Sequence, residues 1–425
     1  MTCDQAIEYL YSRLKFGSIP GLERIEALCE LVGNPQDKLR FVHVGGTNGK
    51  GSTCTMVAGM LQNAGYKTGL FTSPYVIDFR ERIQINGEMI DPDELGAIVE
   101  ELVPFVSELD AKGITPTEFE VLTVVSLVYY QRHSCDFVVL EVGLGGLCDS
   151  TNIIKNPDVC VITSVSYDHT HILGETIEEI AFQKSGIIKN NTSVVIYPQP
   201  FKEAQKIILE TANNKNCRVY QVEEASIVPV ESDMSGSLFN YKGHSVKVGL
   251  VGEHQLYNAA TAFETGLALI DCGVKLDIDN ILYGIENAHI AARTQVVSEK
   301  PLVVIDGGHN PDGVAALCKN LVTVFSGKSI TAIIGMMADK DVDESAKLLA
   351  PLCDRIFTVT VDNPRSMKAD ELKDVFLRYN SDVRSFDNIG LALDEIGGTI
   401  GDDEMLLICG SLYLASEANN FKIKL

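Results

Sequence analysis

The chain has 425 residues, 45% hydrophobic and 22% charged, so it is long enough for two or three globular domains. Its 58 acidic residues outnumber its 35 basic residues by 23, which argues against binding to nucleic acid or to an anionic membrane. The eleven cysteines include no CxxC pair, no signal peptide is evident at the start, and no apolar stretch is long enough to span a bilayer; together these features predict a cytoplasmic protein.

Apolar runs alternate with amphipathic stretches, a pattern typical of βαβ units and a mainly parallel sheet. In the first part of the chain, strands are predicted at Phe41–Val44, Thr68–Phe71, Phe137–Glu141, Val159–Thr163 and Val194–Tyr197. Helices are predicted between them, for example at Pro92–Leu109 and Glu118–Arg132. Residues 218–250 predict a small antiparallel patch, because short alternating runs are separated there by Gly and Ser, and residues 252–272 predict a helix.

A second series of strands follows a turn at Glu299-Lys300-Pro301, at Leu302–Asp306, Thr331–Gly335, Ile356–Thr360 and Met405–Gly410. We therefore expect an α/β protein with two domains. Residues 1–297 would form a P-loop ATPase-like domain with a parallel sheet and the small antiparallel patch. Residues 298–425 would form a smaller, Rossmann-like α/β domain.

A glycine-rich loop, Gly45–Thr53, lies between the first strand and a helical run at Met56–Leu61. Glycines let several backbone N–H groups face one anion, and the helix N-terminus adds its positive dipole end. Lys50 would place a cation between the outer phosphates of a nucleotide. The spacing is a variant of the usual P-loop, because three residues separate Gly45 from Gly49 and Gly51 precedes Ser52.

Acidic and histidine side chains follow two of the predicted strands. Glu141 ends an apolar run, as does the acid that serves Mg²⁺ in P-loop ATPases, although many strands end in an acid. Gly143–Gly146 then allows close approach of a ligand to the backbone, or forms a plain turn. Asp168 and His169 lie beyond the strand at Val159–Thr163, where a histidine suits metal or phosphate chemistry; a surface histidine is the alternative.

Lys184 falls on the apolar face of a predicted helix. The helix begins with a capping box at Thr176–Glu179 and can end at Gly186, and Ile177, Ile180 and Ala181 share the face with Lys184. The lysine could bury its stem and extend its ammonium group to water. It could also be a functional group inside a cleft.

The second series opens with another candidate ligand loop, Asp306-Gly307-Gly308-His309-Asn310-Pro311. Turn formation accounts for the glycines and the proline, but not for Asp306 and His309. Arg293 lies shortly before this loop and could contact phosphates, or could be an isolated surface arginine.

Taken together, these motifs resemble the Mur ligase superfamily, and within it the folylpolyglutamate synthase and dihydrofolate synthase branch. The resemblance extends from about Ala6 to Leu414. It rests on the segments Gly21–Arg24, Gly46–Thr53, Phe71–Pro74, Glu81–Gly87, Leu140–Gly146, Asp168–Thr170, Lys184 with Gly186, Gly252–Gln255, Asn258–Ala260, Asp306–Pro311, Asp339–Asp341 and Gly410–Leu412. The chain departs from the family pattern at Tyr75, Leu147-Cys148 and Ala291-Ala292.

The resemblance implies roles for individual residues. Catalytic roles fall to Lys50, His169 and Lys184. The implied ATP-binding residues are Gly46, Thr47, Asn48, Gly49, Lys50, Gly51, Ser52, Asn258, Arg293, Asp306 and His309. The implied metal ligands are Ser52, Ser73, Glu141, His169 and a carbamylated Lys184. Asp149 and Arg82 are assigned to the folate or pterin site.

The activity that the resemblance implies is ATP-dependent addition of L-glutamate to a folate and to dihydropteroate through an acyl phosphate. Its cofactors would be ATP, Mg²⁺ at two sites, and a CO₂-derived carbamate, with K⁺ as a further candidate. Its partners would be these small molecules, without nucleic acid or membrane, and the protein would be a monomer. The alternatives are a Mur-type ligase acting on a cell-wall precursor and a nucleotide-binding module that has lost catalysis.

Overall fold

The computed structural model describes residues 1–17, 19–397, 400–401 and 403–420. Contacts divide the chain into two compact units, one comprising Met1–Ile227 with Tyr257–Ala288 and the other Val228–Leu256 with His289–Leu425. The expected boundary between residues 297 and 298 differs from this division and falls inside a strand, Gln295–Glu299. The last five residues of the expected second domain, 421–425, lie outside the described residues.

The first unit is built on an eight-stranded sheet. Its strands are β1 (Phe41–Gly45), β2 (Thr68–Phe71), β3 (Ile83–Ile85), β4 (Glu88–Met89), β5 (Phe137–Glu141), β6 (Val159–Ile162), β7 (Ser193–Ile196) and β8 (Arg218–Gln221). They lie in the order β4-β3-β2-β5-β1-β6-β7-β8, parallel except for the antiparallel pairs β2–β3 and β3–β4. Strand β1 is fully buried in the centre, and the chain adds later strands on both of its sides. Ligands of open α/β sheets bind at the carboxyl ends of strands beside such a reversal in strand order.

Helices cover the faces of this sheet. They are α1 (Cys3–Ser12), α2 (Glu23–Leu31), α3 (Lys50–Asn63), α4 (Pro92–Ala111), α5 (Glu118–Arg132), α6 (Thr170–Leu173), α7 (Ile177–Ser185), α8 (Lys202–Asn214), α9 (Glu253–Asp271) and α10 (Ile278–Glu286). Helix α3 follows the glycine loop and packs closely on α10. The two helices are so near that a Cβ at Gly284 would overlap the backbone nitrogen of Met60. This close packing holds the glycine loop's helix against the rest of the unit.

The predicted antiparallel patch is correct only in part. Residues 218–221 form β8, which pairs in parallel with β7 because helix α8 connects the two strands as a crossover. The antiparallel sheet comprises β9 (Val228–Asp233), β10 (Gly236–Tyr241) and β11 (His244–Val248), in the order β11-β10-β9. This sheet groups with the second unit rather than with the first.

The second unit also contains a six-stranded sheet, in the order β12-β13-β17-β14-β15-β16. Its strands are β12 (Gln295–Glu299), β13 (Leu302–Ile305), β14 (Ser329–Ile334), β15 (Arg355–Val359), β16 (Val383–Phe386) and β17 (Glu404–Cys409). Its helices are α11 (Pro311–Thr323), α12 (Val342–Leu349), α13 (Ala369–Phe376), α14 (Ile389–Ile396) and α15 (Leu412–Asn420). All neighbouring strands are parallel except the edge pair β12–β13. This arrangement confirms the predicted Rossmann-like α/β sheet.

A search of the described residues finds no helix that combines the length and the apolar character needed to cross a lipid bilayer.

Candidate active site

Three loops meet at the carboxyl edge of the first sheet, after the neighbouring strands β5, β1 and β6. The glycine loop follows β1, residues 142–149 follow β5, and residues 163–169 follow β6. Adjacent parallel strands end at the same edge, so the sheet itself brings these segments together. Most of the predicted site residues of the first unit lie on these loops or on elements packed against them.

The glycine loop curls around two glycines with positive φ. Gly46 has φ 146° and Gly49 has φ 88°, a region that L side chains avoid. A Cβ at Gly46 would overlap the hydroxyl of Thr163, and a Cβ at Gly49 would overlap the side chain of Asn258. The structure therefore brings Asn258, predicted to contact the adenine, directly onto the loop from helix α9.

Hydrogen bonds join the glycine loop to the loop after β6. Thr47 N–H donates to the carbonyl of Ser164 at 2.6 Å. The Thr47 hydroxyl donates to the carbonyl of Ser166 and accepts from its N–H, both at 3.1 Å. The Lys50 ammonium group donates to the carbonyl of Thr47 at 3.0 Å, so the side chain folds back over the loop. The loop is thus held in its curled shape by its own neighbours.

His169 lies on this second loop, at the start of α6, with a positive φ of 50°. Such a backbone is uncommon for a residue other than glycine. The His169 N–H donates to Asp168 Oδ1 at 2.9 Å, and Nε2 of the ring lies 3.8 Å from the same oxygen. Asp168 thus holds the backbone of His169 and lies near its ring.

Glu141 ends β5 beside the first turn of α3. Its side chain is 5% exposed, and Oε2 accepts a hydrogen bond of 3.2 Å from the N–H of Ser73. A Cβ at Gly51 would lie 3.7 Å from the same oxygen. The predicted metal-binding residues Glu141 and Ser73 are therefore neighbours next to the glycine loop, and Ser52 lies buried in the first turn of α3.

Lys184 does not reach water. Its residue is 3% exposed, and Nζ donates to the carbonyl of Gly46 at 2.9 Å. Burial, together with the nearby Lys50 cation, lowers the pKa of Lys184 to about 7, although Asp168 and Asp149 oppose this effect. Snorkelling is therefore excluded, and the surroundings of this amine favour its uncharged form more than water does.

A cavity of about 420 Å³ lies beside these loops in the first unit. Its walls include Ser73, Glu118, Glu120, Gly143 and Asp149. Asp149 is 7% exposed, and burial raises the pKa of its carboxyl group, while hydrogen bonds from Thr151 and backbone N–H groups oppose this shift. The predicted pterin residue therefore does line a cavity of a size suited to a small ligand.

Arg82, the other predicted pterin residue, lies behind one wall of this cavity. Its guanidinium group donates to Glu118 Oε1 at 2.8 Å and lies over the rings of Tyr75 and Phe79, at 5.3 Å and 5.1 Å from their centroids. Glu118 lines the cavity, so Arg82 would influence a ligand through Glu118. The side chain of Glu120 is bound in the same way by Nε of Arg24, at 3.0 Å.

In the second unit, both oxygens of Asp306 are used to shape its own loop. Oδ2 accepts from the N–H and the hydroxyl of Thr294, both at 2.8 Å, and Oδ1 accepts from the N–H of Gly308 at 2.7 Å. Thr294 has a positive φ of 45°, and Asn320 donates to its hydroxyl at 3.0 Å. Asp306 therefore fixes the strained segment that carries Arg293.

His309 and Arg293 lie on the segments that Asp306 joins. The Nδ1 atom of His309 lies 3.0 Å from the carbonyl oxygen of Gly307. Arg293 lines a cavity of about 380 Å³ within the second unit. The structure thus places each of these predicted nucleotide contacts on a defined loop, and their contact with ATP stays a prediction.

Sequence reasoning did not identify Glu118, Glu120 and His43 as residues around the site. The two glutamates lie in the first turn of α5, and their pattern indicates only helix capping. His43 could have been noticed because it is a histidine inside the apolar run of β1, and the structure shows that it is fully buried there.

The oxygen donors around the glycine loop fit Mg²⁺, which prefers carboxylate and hydroxyl oxygens. Among the residues that the structure describes, no group of three or more His, Cys, Asp or Glu side chains is arranged to hold a metal ion. Mg²⁺ at nucleotide sites is usually bound by one or two carboxylates together with phosphate oxygens and water. Glu141 with Ser73 and Ser52 matches that sparse donor set.

Comparison with known proteins identifies the relatives of this chain. Residues 44–266 match the Mur ligase middle domain, and residues 292–412 match the glutamate ligase domain of Mur ligases. The chain is 36% identical to the dihydrofolate synthase/folylpolyglutamate synthase of Bacillus subtilis, over 97% of each protein.

Two solved structures resemble the fold closely. The folylpolyglutamate synthase of Mycobacterium tuberculosis complexed with ADP and AMPPCP superimposes with a TM-score of 0.90 at 29% identity, covering 98% of this chain and 97% of that one. Escherichia coli FolC in complex with DHPP and ADP superimposes with a TM-score of 0.85 at 27% identity, covering 99% and 98%. With matches across both domains and over nearly its whole length, the chain belongs to the Mur ligase family, in the group of dihydrofolate synthases and folylpolyglutamate synthases.

Proposed function

We propose that this ligase uses ATP to activate a carboxyl group and joins it to the amine of L-glutamate, with dihydropteroate and folates as acceptors. The proposal rests on the side chains that surround the glycine loop. Lys50, Glu141 and Lys184 all adjoin that loop, in the same unit as the cavity that Asp149 lines. The E. coli relative whose fold this chain shares was solved with DHPP and ADP bound.

The reaction follows from the chemistry of the acceptor. Oxide is a poor leaving group, so a carboxylate oxygen first attacks the γ-phosphorus of ATP and the bond to ADP breaks. The amine nitrogen of glutamate then attacks the carbonyl carbon of the acyl phosphate, phosphate leaves with the electrons of the C–O bond, and the nitrogen loses a proton. The N–H groups of the glycine loop and the Lys50 ammonium group stabilise the charge of the transferring phosphoryl group.

Two anions must approach each other in the first step. Two unit charges 4 Å apart repel by about 4 kcal/mol at an effective dielectric of 20. Ser52, Ser73, Glu141 and His169 would hold Mg²⁺, which when bound neutralises phosphoryl and carboxylate oxygens. The N–H of Ser73 orients the Glu141 carboxylate for this role.

Lys184 is the proposed site of a carbamate. A neutral amine nitrogen attacks the carbon of CO₂, an N–C bond forms and a proton is released. The lowered pKa of Lys184 supports this step, because burial makes the neutral amine available near pH 7. The product is an anion that can serve as a ligand for a second Mg²⁺ or for a cationic group beside Gly46.

The cavity is the proposed site for the pterin end of the acceptor. A pterin presents an amino group and ring N–H groups along one edge, and a buried carboxylate such as Asp149 accepts from such donors. The two cavity glutamates, Glu118 and Glu120, are paired with arginines, so their charges are compensated.

The eleven cysteines within the described residues are all free. Free thiols support action in the reducing cytoplasm. We expect the protein to be a monomer there.

The test is to supply ATP, Mg²⁺ and glutamate with either dihydropteroate or tetrahydrofolate, and to weigh the products. Addition of one glutamate to either acceptor, with one ADP released per amide, is the expected result. The Lys50→Ala variant is the control for background hydrolysis. Absence of both ADP and a new amide with either acceptor contradicts the proposal and favours a non-catalytic nucleotide-binding module.

A further inference from the structure

A chain of hydrogen bonds joins the central strand to the cavity. His43, on β1, lies with Nε2 2.9 Å from the hydroxyl oxygen of Thr151. That hydroxyl donates to Asp149 Oδ1 at 2.5 Å. His43 and Thr151 are completely buried, and Asp149 lines the cavity.

The direction of these hydrogen bonds follows from the donors around Asp149. Its Oδ1 also accepts from the N–H of Thr151 at 3.0 Å, and its Oδ2 accepts from the N–H of Leu144 at 2.8 Å. Burial raises the pKa of the Asp149 carboxyl group, but acceptance at both oxygens opposes that rise and favours the ionised carboxylate. The Thr151 hydroxyl must therefore point its proton at Asp149, and its oxygen must accept from Nε2–H of His43.

This arrangement also defines the state of His43. Burial lowers the pKa of its imidazole to about 3, so the ring is neutral. With the proton on Nε2, the bare Nδ1 is an acceptor, and among the described residues it has no hydrogen-bond partner. Leaving a buried polar atom unpaired lowers the stability of the folded state. An apolar residue at position 43 would therefore be expected to give a more stable fold.

We propose that His43 and Thr151 are positioning residues that hold the Asp149 carboxylate ionised and in one orientation for the donor edge of a flat nitrogen heterocycle in the cavity. The inference rests on the proposed function, in which that heterocycle is the pterin of dihydropteroate. Asp149 also caps the short helical turn Ser150–Ile153 through the N–H of Thr151. That cap requires neither the Thr151 hydroxyl nor His43. The chain of hydrogen bonds from His43 to Asp149 therefore has no evident role in the fold itself.

The test separates acceptor binding from catalysis. Thr151→Val removes the hydroxyl at nearly constant volume, and Thr151→Ser keeps it. His43→Phe removes the ring donor, and His43→Gln supplies an amide donor in its place. The matched control is Thr265→Val, because Thr265 is equally buried but its hydroxyl only donates to the carbonyl of Thr261 within α9.

Steady-state kinetics with dihydropteroate, ATP and glutamate give the readout. We expect Thr151→Val and His43→Phe to raise KM for dihydropteroate about tenfold, the effect of losing one hydrogen bond to a charged group. KM for ATP and kcat should stay within about threefold, and Thr151→Ser, His43→Gln and Thr265→Val should resemble the wild type.

Each contrary outcome is decisive. An active wild type with an unchanged KM for dihydropteroate in Thr151→Val overturns the inference and leaves the proposed function intact. A uniform change in kcat and in both KM values, or loss of folding in both Thr151→Val and His43→Phe, also overturns it, because the role is then structural. A wild type that neither binds nor glutamylates dihydropteroate overturns the pterin part of the proposed function and the inference with it.

Discussion

The side chain of Lys184 donates a hydrogen bond of 2.9 Å to the backbone carbonyl of Gly46, 138 residues earlier in the chain. This contact fastens the end of helix α7 to the glycine loop at its first left-handed glycine. It also buries the amine next to the Lys50 cation, and both effects favour the neutral form. The hydrogen bond holds the glycine loop, whereas burial and the Lys50 cation lower the pKa of the amine.

Lys184→Ala should lower kcat for glutamate addition by a factor on the order of 100, because the proposed carbamate is lost. Added formate or acetate should restore part of the activity by placing a carboxylate in the vacated space. Lys206→Ala is the control, since Lys206 has a side chain that is 73% exposed. Activity within threefold of wild type, or no response to either anion, would contradict the carbamate.

Lys50→Ala should abolish phosphoryl transfer. Removal of a cation that stabilises the transferring phosphoryl group raises the barrier by about 3 kcal/mol or more, a factor on the order of 100 or above. ADP release in the presence of each acceptor measures the effect, with Lys112→Ala, at an exposed surface pair, as the control. The assignment of Lys50 fails if the variant retains a third of the wild-type rate.

Asp149→Asn should raise KM for dihydropteroate by a factor of about ten or more, because a charged acceptor becomes an amide with one neutral oxygen. Asn caps a helical turn as well as Asp does, so the turn at Ser150–Ile153 should persist. KM for ATP and the thermal unfolding midpoint serve as internal controls. Equal KM values for dihydropteroate in wild type and variant would show that the pterin does not contact this residue.

His43 should make the protein sensitive to mild acid. Its folded pKa of about 3 lies below the ordinary value of 6.5, so between these values the unfolded chain binds more protons than the folded one. The free energy of unfolding should therefore fall as pH decreases through this window, by about 2 kcal/mol between pH 7 and pH 5.

The His43→Gln variant removes this titration. Its free energy of unfolding, measured with urea at pH 7 and pH 5, should lack the part of the acid loss that His43 contributes. The same change with pH in both proteins would mean that His43 is not buried and neutral in the folded state.

Local sequence was sufficient to predict most of the parallel strands, the glycine loop and the unusual lysine of helix α7, but not strands β3, β4, β12 and β16. These features depend on short-range causes: apolar runs that bury a strand, glycines that permit positive φ, and helical spacing that sets Lys184 among apolar neighbours. The acidic residues at the strand ends could also be recognised as candidate site residues. Parallel strands bring their carboxyl ends to one edge of the sheet, where ligands bind.

The tertiary structure alone decided which distant side chains meet there. It placed Asn258 against Gly49, turned β8 into a parallel strand through its crossover helix, and set Arg82 behind Glu118 rather than in the cavity. It also connected His43 through Thr151 to Asp149. Such pairings depend on strand order and on helix packing between segments far apart in the chain, and no local pattern of residues encodes them.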